Sequence, residues 1–504
     1  MYDSLRPVLL RNPSTSTGSP PGDSLTTRSG DSTTTRAAPL ALLRWLPVLL
    51  LPSLILIASP PEGVTPQAWR LFAIFSGTIA GLMAQPLPLG AMALLGVASA
   101  ALSGAMTAGQ ALAGYAEPLV WMVLGAFGIS RGMIKTGLGR RIALLFIRAM
   151  GRSSIGLGYA IVASDTVLGM VIPSNGARAG GIVFPVVKSL AETYESRPGP
   201  TATRLGMFLM LMVYHCDITV SALFFTGNAA NPLIASLAKQ VTGIEISYGR
   251  WALGAALPGL ASMIVLPWFL YRRRAPEVKQ TPGAAEFGRT ELEALGPMAR
   301  AEKIMLGVFA LITLLWLTTS WHHVDFGITA LAGLAALLVG GVLTWDDVLA
   351  ERGGWDVLVW YGAIFQMARA LGEAGITKAF AQAAGLATAG AAWPAALVVL
   401  LFIYLYSHYA FATITARVSA LYAAILIVIL AAGTPPYLAV FAMSYVSSLA
   451  AALTHYGTTT SPIYYGAGYT TPGAWWRDGF LLATLNTVVW LAVGAAWWKV
   501  LGWW

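Results

Sequence analysis

Apolar stretches of membrane-spanning length recur from one end of this chain to the other, as at Leu40–Ala58, Trp251–Tyr271, Ile304–Ser320, Phe326–Leu343 and Phe480–Val500. A span takes ~20 mostly apolar residues, and backbone inside lipid must satisfy its own hydrogen bonds, so such stretches are read as helices. About eleven transmembrane helices fit. Of the 504 residues, 57% are hydrophobic and only 11% charged, against ~25% charged in soluble domains. The net charge of +9 therefore speaks of orientation, not nucleic-acid binding, because the basic residues gather at segment ends and in short loops. The chain reads as an all-α polytopic membrane protein.

Two segments break this pattern. Residues 1–38 are rich in Ser, Thr, Pro, Gly and Arg and read as a disordered cytoplasmic tail. No apolar h-region precedes Leu40, which speaks against a secretory signal. The Ser/Arg bias suits a plastid transit peptide, but Asp3, Asp23 and Asp31 count against it. The second polar stretch, 272–302, carries Arg272, Arg273, Arg274, Lys279, Arg289 and Arg300 and reads as a cytoplasmic linker. It separates residues 39–271, a first helix plus a first repeat, from a second repeat at 303–504. The single cysteine, Cys216, rules out an intramolecular disulfide and reads as a small buried hydrophobe.

The halves resemble each other. "TAGQALAGYAEPLVWMVLGAFGISRGMIKTGLG" from Thr107 matches "TWDDVLAERGGWDVLVWYGAIFQMARALGEAGIT" from Thr344. An offset of 239 carries Ser174–Arg178 onto Thr413–Arg417, 230 carries Thr226–Pro232 onto Tyr456–Pro462, and 225 carries Trp251 and Gly254 onto Trp476 and Gly479. Collinear matches with slowly shrinking offsets indicate duplication. Residues 131–152 carry Arg131, Lys135, Arg140, Arg141, Arg148 and Arg152 without an acid, whereas 369–390 carry only Arg369, Lys378 and Glu373. The first stretch is thus expected on the cytoplasmic side and the second outside, which makes the repeats inverted.

Inverted repeats with paired interruptions are typical of secondary transporters, whose sites lie where broken helices meet. The interruptions are "PSNGAR" (173–178), "ATITAR" (412–417), "TGNAANP" (226–232) and "YGTTTSP" (456–462). Apolar segments flank each tip, which suggests re-entrant hairpins at about 153–195 and 391–432. Helix N-termini at the tips would point their positive ends at a common centre. Ser174, Asn175, Thr413 and Thr415 offer donors for carboxylate oxygens, and Arg178 and Arg417 offer two full charges for an anion with two carboxylates. With Gly176, Thr226, Gly227, Asn228, Asn231, Gly457, Thr458, Thr459 and Thr460, these form the candidate substrate site.

"PSNGARAGGIVFPVV", "FFTGNAANPLIASLAKQVTGIEISYGRWALGAALPG" and "LTHYGTTTSPIYYGAGYTTPGAWWRDGF" closely resemble the divalent anion/sodium symporter (DASS) superfamily, nearest the branch of plastid 2-oxoglutarate/malate translocators and bacterial citrate/succinate/tartrate exchangers. The resemblance covers about residues 40–504. It implies an elevator-type homodimer with a scaffold and a mobile transport domain, and a Ser-Asn-Thr motif at each tip that contacts carboxylates and borders sodium. Here the motifs are Ser174-Asn175-Gly176 and Thr413-Ile414-Thr415, so a threonine hydroxyl and an asparagine amide are missing. Arg417 stands where relatives more often have histidine. A site short of oxygen ligands suits a hard cation poorly, so no resident metal or cofactor is expected, and a weak sodium site near Ser174, Asn175 and Gly227 is the alternative.

Asp165, Asp217, His215 and His455 are the remaining intramembrane candidates, since ionisable groups there are functional by default. His322 and His323 read as solvated, and the eighteen tryptophans as interface anchors. HExxH, GxSxG, Walker A and paired Cys/His clusters are missing, and Asp165 and Asp217 lack the surroundings of an intramembrane protease, so no enzyme is expected. The expectation is a sodium-independent antiporter of 2-oxoglutarate, malate or succinate, with a sodium-coupled symporter as the alternative and a channel or receptor-like binder as the rival class. The expected setting is a bacterial inner membrane, or else the plastid inner envelope, with the N-terminus cytoplasmic.

Overall fold

The computed structural model describes residues 43–388, 390 and 392–504, so the expected tail at 1–38 lies outside the described residues. Regular structure among the described residues is helical, with one isolated β-bridge between Ser153 and Gln280. The first half holds α1 (Leu46–Ile57), α2 (Pro66–Ala84), α3 (Leu89–Leu102), α4 (Pro118–Thr136), α5 (Leu138–Met150), α6 (Ser154–Gly169), α7 (Phe184–Thr193), α8 (Gly206–Leu223), α9 (Ala230–Thr242) and α10 (Tyr248–Arg273). A linker helix, α11 (Pro282–Leu295), leads to α12 (Arg300–Leu317), α13 (Phe326–Val339), α14 (Arg352–Glu373), α15 (Ile376–Ala387) and α16 (Trp393–Tyr406). Then come α17 (Ile414–Arg417), α18 (Ala423–Ala431), α19 (Pro436–Leu449), α20 (Ser461–Gly466) and α21 (Pro472–Val500).

The halves use the same local devices at the offsets read from the sequence. Thr107 and Thr344 each open a short helix with a capping box, closed by Gln110 and Asp347, which satisfies two orphan donors reciprocally. Gly137 (φ 76°) and Gly375 (φ 82°) turn the chain into α5 and α15 in the left-handed region that glycine enters without a Cβ penalty. Ser247 caps α10 and Thr471 caps α21. Lys135, at the end of α4, bonds Asp347 of the second half; with Thr344 it holds the Asp347 carboxyl down to about 2.

Among the described residues, six helical runs are long and apolar enough to cross a bilayer, and the pair 108–116 and 118–136, bent by 47°, makes a seventh. Four shorter apolar helices, α1, α3, α6 and α13, accompany them. Counting apolar stretches yields about eleven because it takes in these shorter helices and joins what prolines and polar tips divide. Leucines and isoleucines of α1, α10 and α12, such as Leu49, Ile57, Leu260, Ile264, Leu311 and Leu314, turn outward. Apolar faces of this extent are covered by lipid: the chain is a multi-pass membrane protein.

At the centre runs α8, 94% buried, packed by α6, α10 and α19. The linker is built into the fold. Thr281 N–H donates to Arg152 O (2.8 Å) and Ser154 N–H to Lys279 O (3.0 Å), while Glu277 and Val278 N–H donate to Thr203 O and Arg204 O (3.2 and 3.0 Å). Elsewhere α4 lies along α13 through Gly125 and Gly128. A Cβ on Gly125 would stand 2.9 Å from Ala330 Cβ, and one on Gly128 2.7 Å from Leu334 Cδ1. Small residues let membrane helices approach closely. Gly125→Val is expected to cost about 1–3 kcal/mol through overpacking, read as a lowered Tm of the purified protein in detergent.

Candidate functional site

Each tip is a chain reversal fastened by a buried arginine. Arg178 bonds Asp165 and Arg417 bonds Tyr404, both thirteen residues earlier. Thirteen residues of continuous helix would separate them by ~20 Å, so the chain doubles back between them. Ser174 and Thr413 start the returning arms: Ser174 Oγ accepts from Ala177 N–H (3.2 Å) and Thr413 Oγ1 from Ala416 N–H (3.1 Å). These are N-caps, the role for which short hydroxyl side chains are suited. A wide π-type turn follows each, at Gly176–Val183 and Val418–Tyr422, a feature frequent at functional sites.

Neither guanidinium reaches the surface; both arginines are 0% exposed. Arg178 Nε donates to Asp165 Oδ1 (2.8 Å), Nη1 to the carbonyls of Ile172 and Gly227 (both 3.1 Å), and Nη2 to Asp217 Oδ1 and Ser221 Oγ. Arg417 lies over the Tyr404 ring, 4.2 Å from its centroid, and donates through Nη1 to Tyr404 O (2.7 Å) and through Nη2 to Ser447 O. Those carbonyls sit in the last turns of α16 and α19, where helix ends leave acceptors and negative partial charge. The sequence expectation was direct contact of both arginines with an anion. In this structure both guanidiniums bond protein acceptors, which α8 and α19 supply where the apolar surroundings cannot.

Asn175 is turned inward too. Its amide donates to Asp217 Oδ2 (3.0 Å) and Ser221 Oγ (2.5 Å). In the first unwound stretch, Thr226 Oγ1 donates to Met170 O (2.7 Å), Asn228 Oδ1 accepts from Ala230 N–H, and Asn231 Nδ2 donates to Ser221 O and Phe224 O. Ser448 Oγ donates to Asn231 Oδ1 (3.2 Å), which ties this stretch to the second half. In the second stretch, His408 Nε2 bonds Gly457 O (2.9 Å), Thr458 N–H donates to Ser461 Oγ, and Thr460 Oγ1 approaches Asp217 Oδ2 (3.5 Å).

The site residues left facing open space are few. Ser174, Gly176, Thr413 and Thr415 are partly exposed and Thr459 is exposed. A Cβ on Gly176 would lie 3.2 Å from Thr459 Oγ1 and 3.7 Å from Ser174 Oγ, so the first tip and the second unwound stretch meet there. Hydroxyls and N-terminal backbone N–H groups gathered this way can hold an anion. A hard cation would want carbonyl oxygens, but those of Ile172 and Gly227 accept from Arg178.

Of the other candidates, His455 Nδ1 accepts from Trp476 Nε1 (2.9 Å), and His215 is buried on α8. Sequence reasoning missed Ser221, Tyr404, Ser447 and His408. Two of them were within reach of the offsets already in hand: 239 carries Asp165 onto Tyr404 and 230 carries Asp217 onto Ser447. Those positions in the second half are the counterparts of the two acids.

The family described as "Sodium:sulfate symporter transmembrane region" matches residues 40–504. The putative malate transporter YflS of Bacillus subtilis (strain 168) is 43% identical over 452 residues, 90% of this chain and 95% of that protein. The chloroplastic dicarboxylate transporter 1 of Arabidopsis thaliana is 43% identical over 450 residues, 88% and 80% of the two chains. The solved structure of MtrF from Neisseria gonorrhoeae superposes with a TM-score of 0.52 at 11% identity, covering 92% of this chain and 96% of that one, a likeness of fold alone.

Two substitutions separate scaffold from surface. Arg178→Ala leaves Asp165 and Asp217 buried without their partner and is expected to cost about 3–5 kcal/mol. Thr459→Ala is expected to stay within about 0.5 kcal/mol. Thermal unfolding of the purified variants checks both.

Proposed function

The chain belongs to the sodium:sulfate symporter (DASS) family, a family of transporters and not of enzymes, and from that premise we propose that it exchanges C4–C5 dicarboxylates, of the malate, succinate and 2-oxoglutarate class, across its membrane without sodium. The names of the relatives support the substrate class. One observation carries the exchange mode: at each tip a tethered guanidinium fills the cage of backbone carbonyls, Ile172 and Gly227 at the first and Tyr404 and Ser447 at the second. A positive charge built into the protein does there what a diffusible cation would otherwise do.

In this reading the substrate's carboxylates take hydrogen bonds from Ser174, Thr459 and the Gly176 backbone on one side and from Thr413 and Thr415 on the other. Arg178 sets the first tip. Arg417, one helical turn beyond Thr413 and forming no ion pair among the described residues, supplies positive potential to the second. A dianion crossing the bilayer must have its charge offset, and an empty site with Arg417 uncompensated resists crossing, so movement is confined to the loaded carrier. The inverted repeats expected from the offsets and charge, with the elevator motion and homodimeric assembly implied by the family resemblance, complete the proposal.

In vesicles holding purified protein, labelled malate uptake is expected to require a dicarboxylate inside and to ignore an imposed sodium gradient. Uptake into empty vesicles driven by sodium would make the protein a symporter instead. Thr459→Val is expected to raise the apparent KM for malate about tenfold, the worth of one hydrogen bond to a charged group, with Tm unchanged.

A further inference from the structure

The niches around Arg178 and Arg417 are copies in position but not in charge. Arg417 is held by two carbonyls and an aromatic ring, so a guanidinium in this niche can be lodged without any acid. At the equivalent places the first half has two acids, Asp165 and Asp217, both bonded to Arg178. The three side chains are 0–2% exposed. Two carboxylates on one guanidinium leave a surplus negative charge, and an unmatched buried charge costs several kcal/mol in protein and is disfavoured at membrane depth.

The surplus can be placed on one atom. Asp217 is well solvated by the protein: Oδ1 accepts from Arg178, and Oδ2 from Asn175 at 3.0 Å with Thr460 at 3.5 Å. Asp165 Oδ1 accepts from Arg178 Nε, whereas its Oδ2 is buried with no partner among the described residues. We propose that the Asp165–Arg178–Asp217 cluster is a proton-binding site, with one proton carried on Asp165 Oδ2. That proton cancels the surplus charge while leaving Oδ1 free to accept from Arg178.

The groups facing the cluster are few. Arg178 comes from the first tip, and Asp217 with the buried Cys216 and Tyr214 from α8; Tyr464 of α20 donates to Ala179 O, the residue next to Arg178 (2.8 Å). The thiol and phenols are neutral when protonated, so they add no charge. The other helices packed on α6, α5 and α10, carry arginines that pair elsewhere: Arg140 with Glu291, Arg141 with Glu302 and Arg273 with Asp478. The proton thus moves with the first tip, and its loss leaves a buried net charge that opposes that movement. The inference does not depend on which acid is carried.

Infrared spectroscopy of the purified full chain tests it directly. At neutral pH the wild type is expected to show the carbonyl stretch of a protonated carboxylic acid, shifted in D2O and lost in Asp165→Asn. A wild-type spectrum without that band overturns the proposal even if the variant fails to fold, and so does a band that survives in Asp165→Asn. An Asn amide reproduces the neutral acid, so in malate counterflow Asp165→Asn should exchange with a flat pH profile. The wild-type rate should fall with rising pH, approaching about tenfold per unit once the proton leaves. An identical pH dependence in the two proteins would refute the role of the proton in transport. Absence of any counterflow, with the infrared band present, would sink the dicarboxylate reading and leave the proton site standing.

Discussion

A guanidinium in the interior of a membrane protein must bring its acceptors with it, and here that requirement organises both tips. Lipid and apolar side chains offer none, and an unpaired buried charge is among the most costly groups a fold can contain. Arg178 therefore gathers residues from four places: Asp165 on α6, the carbonyl of Ile172 just before the tip, Asp217 and Ser221 on α8, and the carbonyl of Gly227 in the unwound stretch. Arg417 gathers the ends of α16 and α19 in the same way. Irregular backbone needs such partners away from water, and the arginines supply four of them, to the carbonyls of Ile172, Gly227, Tyr404 and Ser447.

The two halves are also joined through these partners. Ser221, which accepts from Arg178, offers its own carbonyl to Asn231; Asn231 accepts from Ser448; and the neighbouring Ser447 carbonyl holds Arg417. A path of hydrogen bonds, joined by the covalent chain at Ser221 and at Ser447–Ser448, thus runs from one tip to the other inside the protein. It leaves the outer surface of each tip to short hydroxyl side chains and glycine. The division of labour is economical: charge and rigidity are kept in the interior, and exposed groups are small enough to follow the shape of an anion.

Much of this was legible in the sequence. The tips and the equivalence of Arg178 and Arg417 follow from matching offsets, because duplicated motifs are local signals, whereas the capping role of Ser174 and Thr413 reads there as a role toward substrate. The destination of each arginine was not legible. Asp165 precedes Arg178 by thirteen residues and Asp217 follows it by thirty-nine, and only tertiary folding shows that both reach it. Asn175 shows the same limit: its amide chemistry is evident from the sequence, while the direction it faces depends on α8. The crossing count was blurred for a related reason, since hydropathy cannot tell a short apolar helix from half of a broken one.

The ordered linker has a mechanical meaning. Residues 277–281 bond the foot of α6 through Arg152 and Ser154, and they bond the turn that leads into α8 through Thr203 and Arg204. They act as a yoke across the two helices whose acids clasp Arg178. Through them the spacing of α6 and α8 is set at this end by backbone hydrogen bonds and further along by the clasp on Arg178.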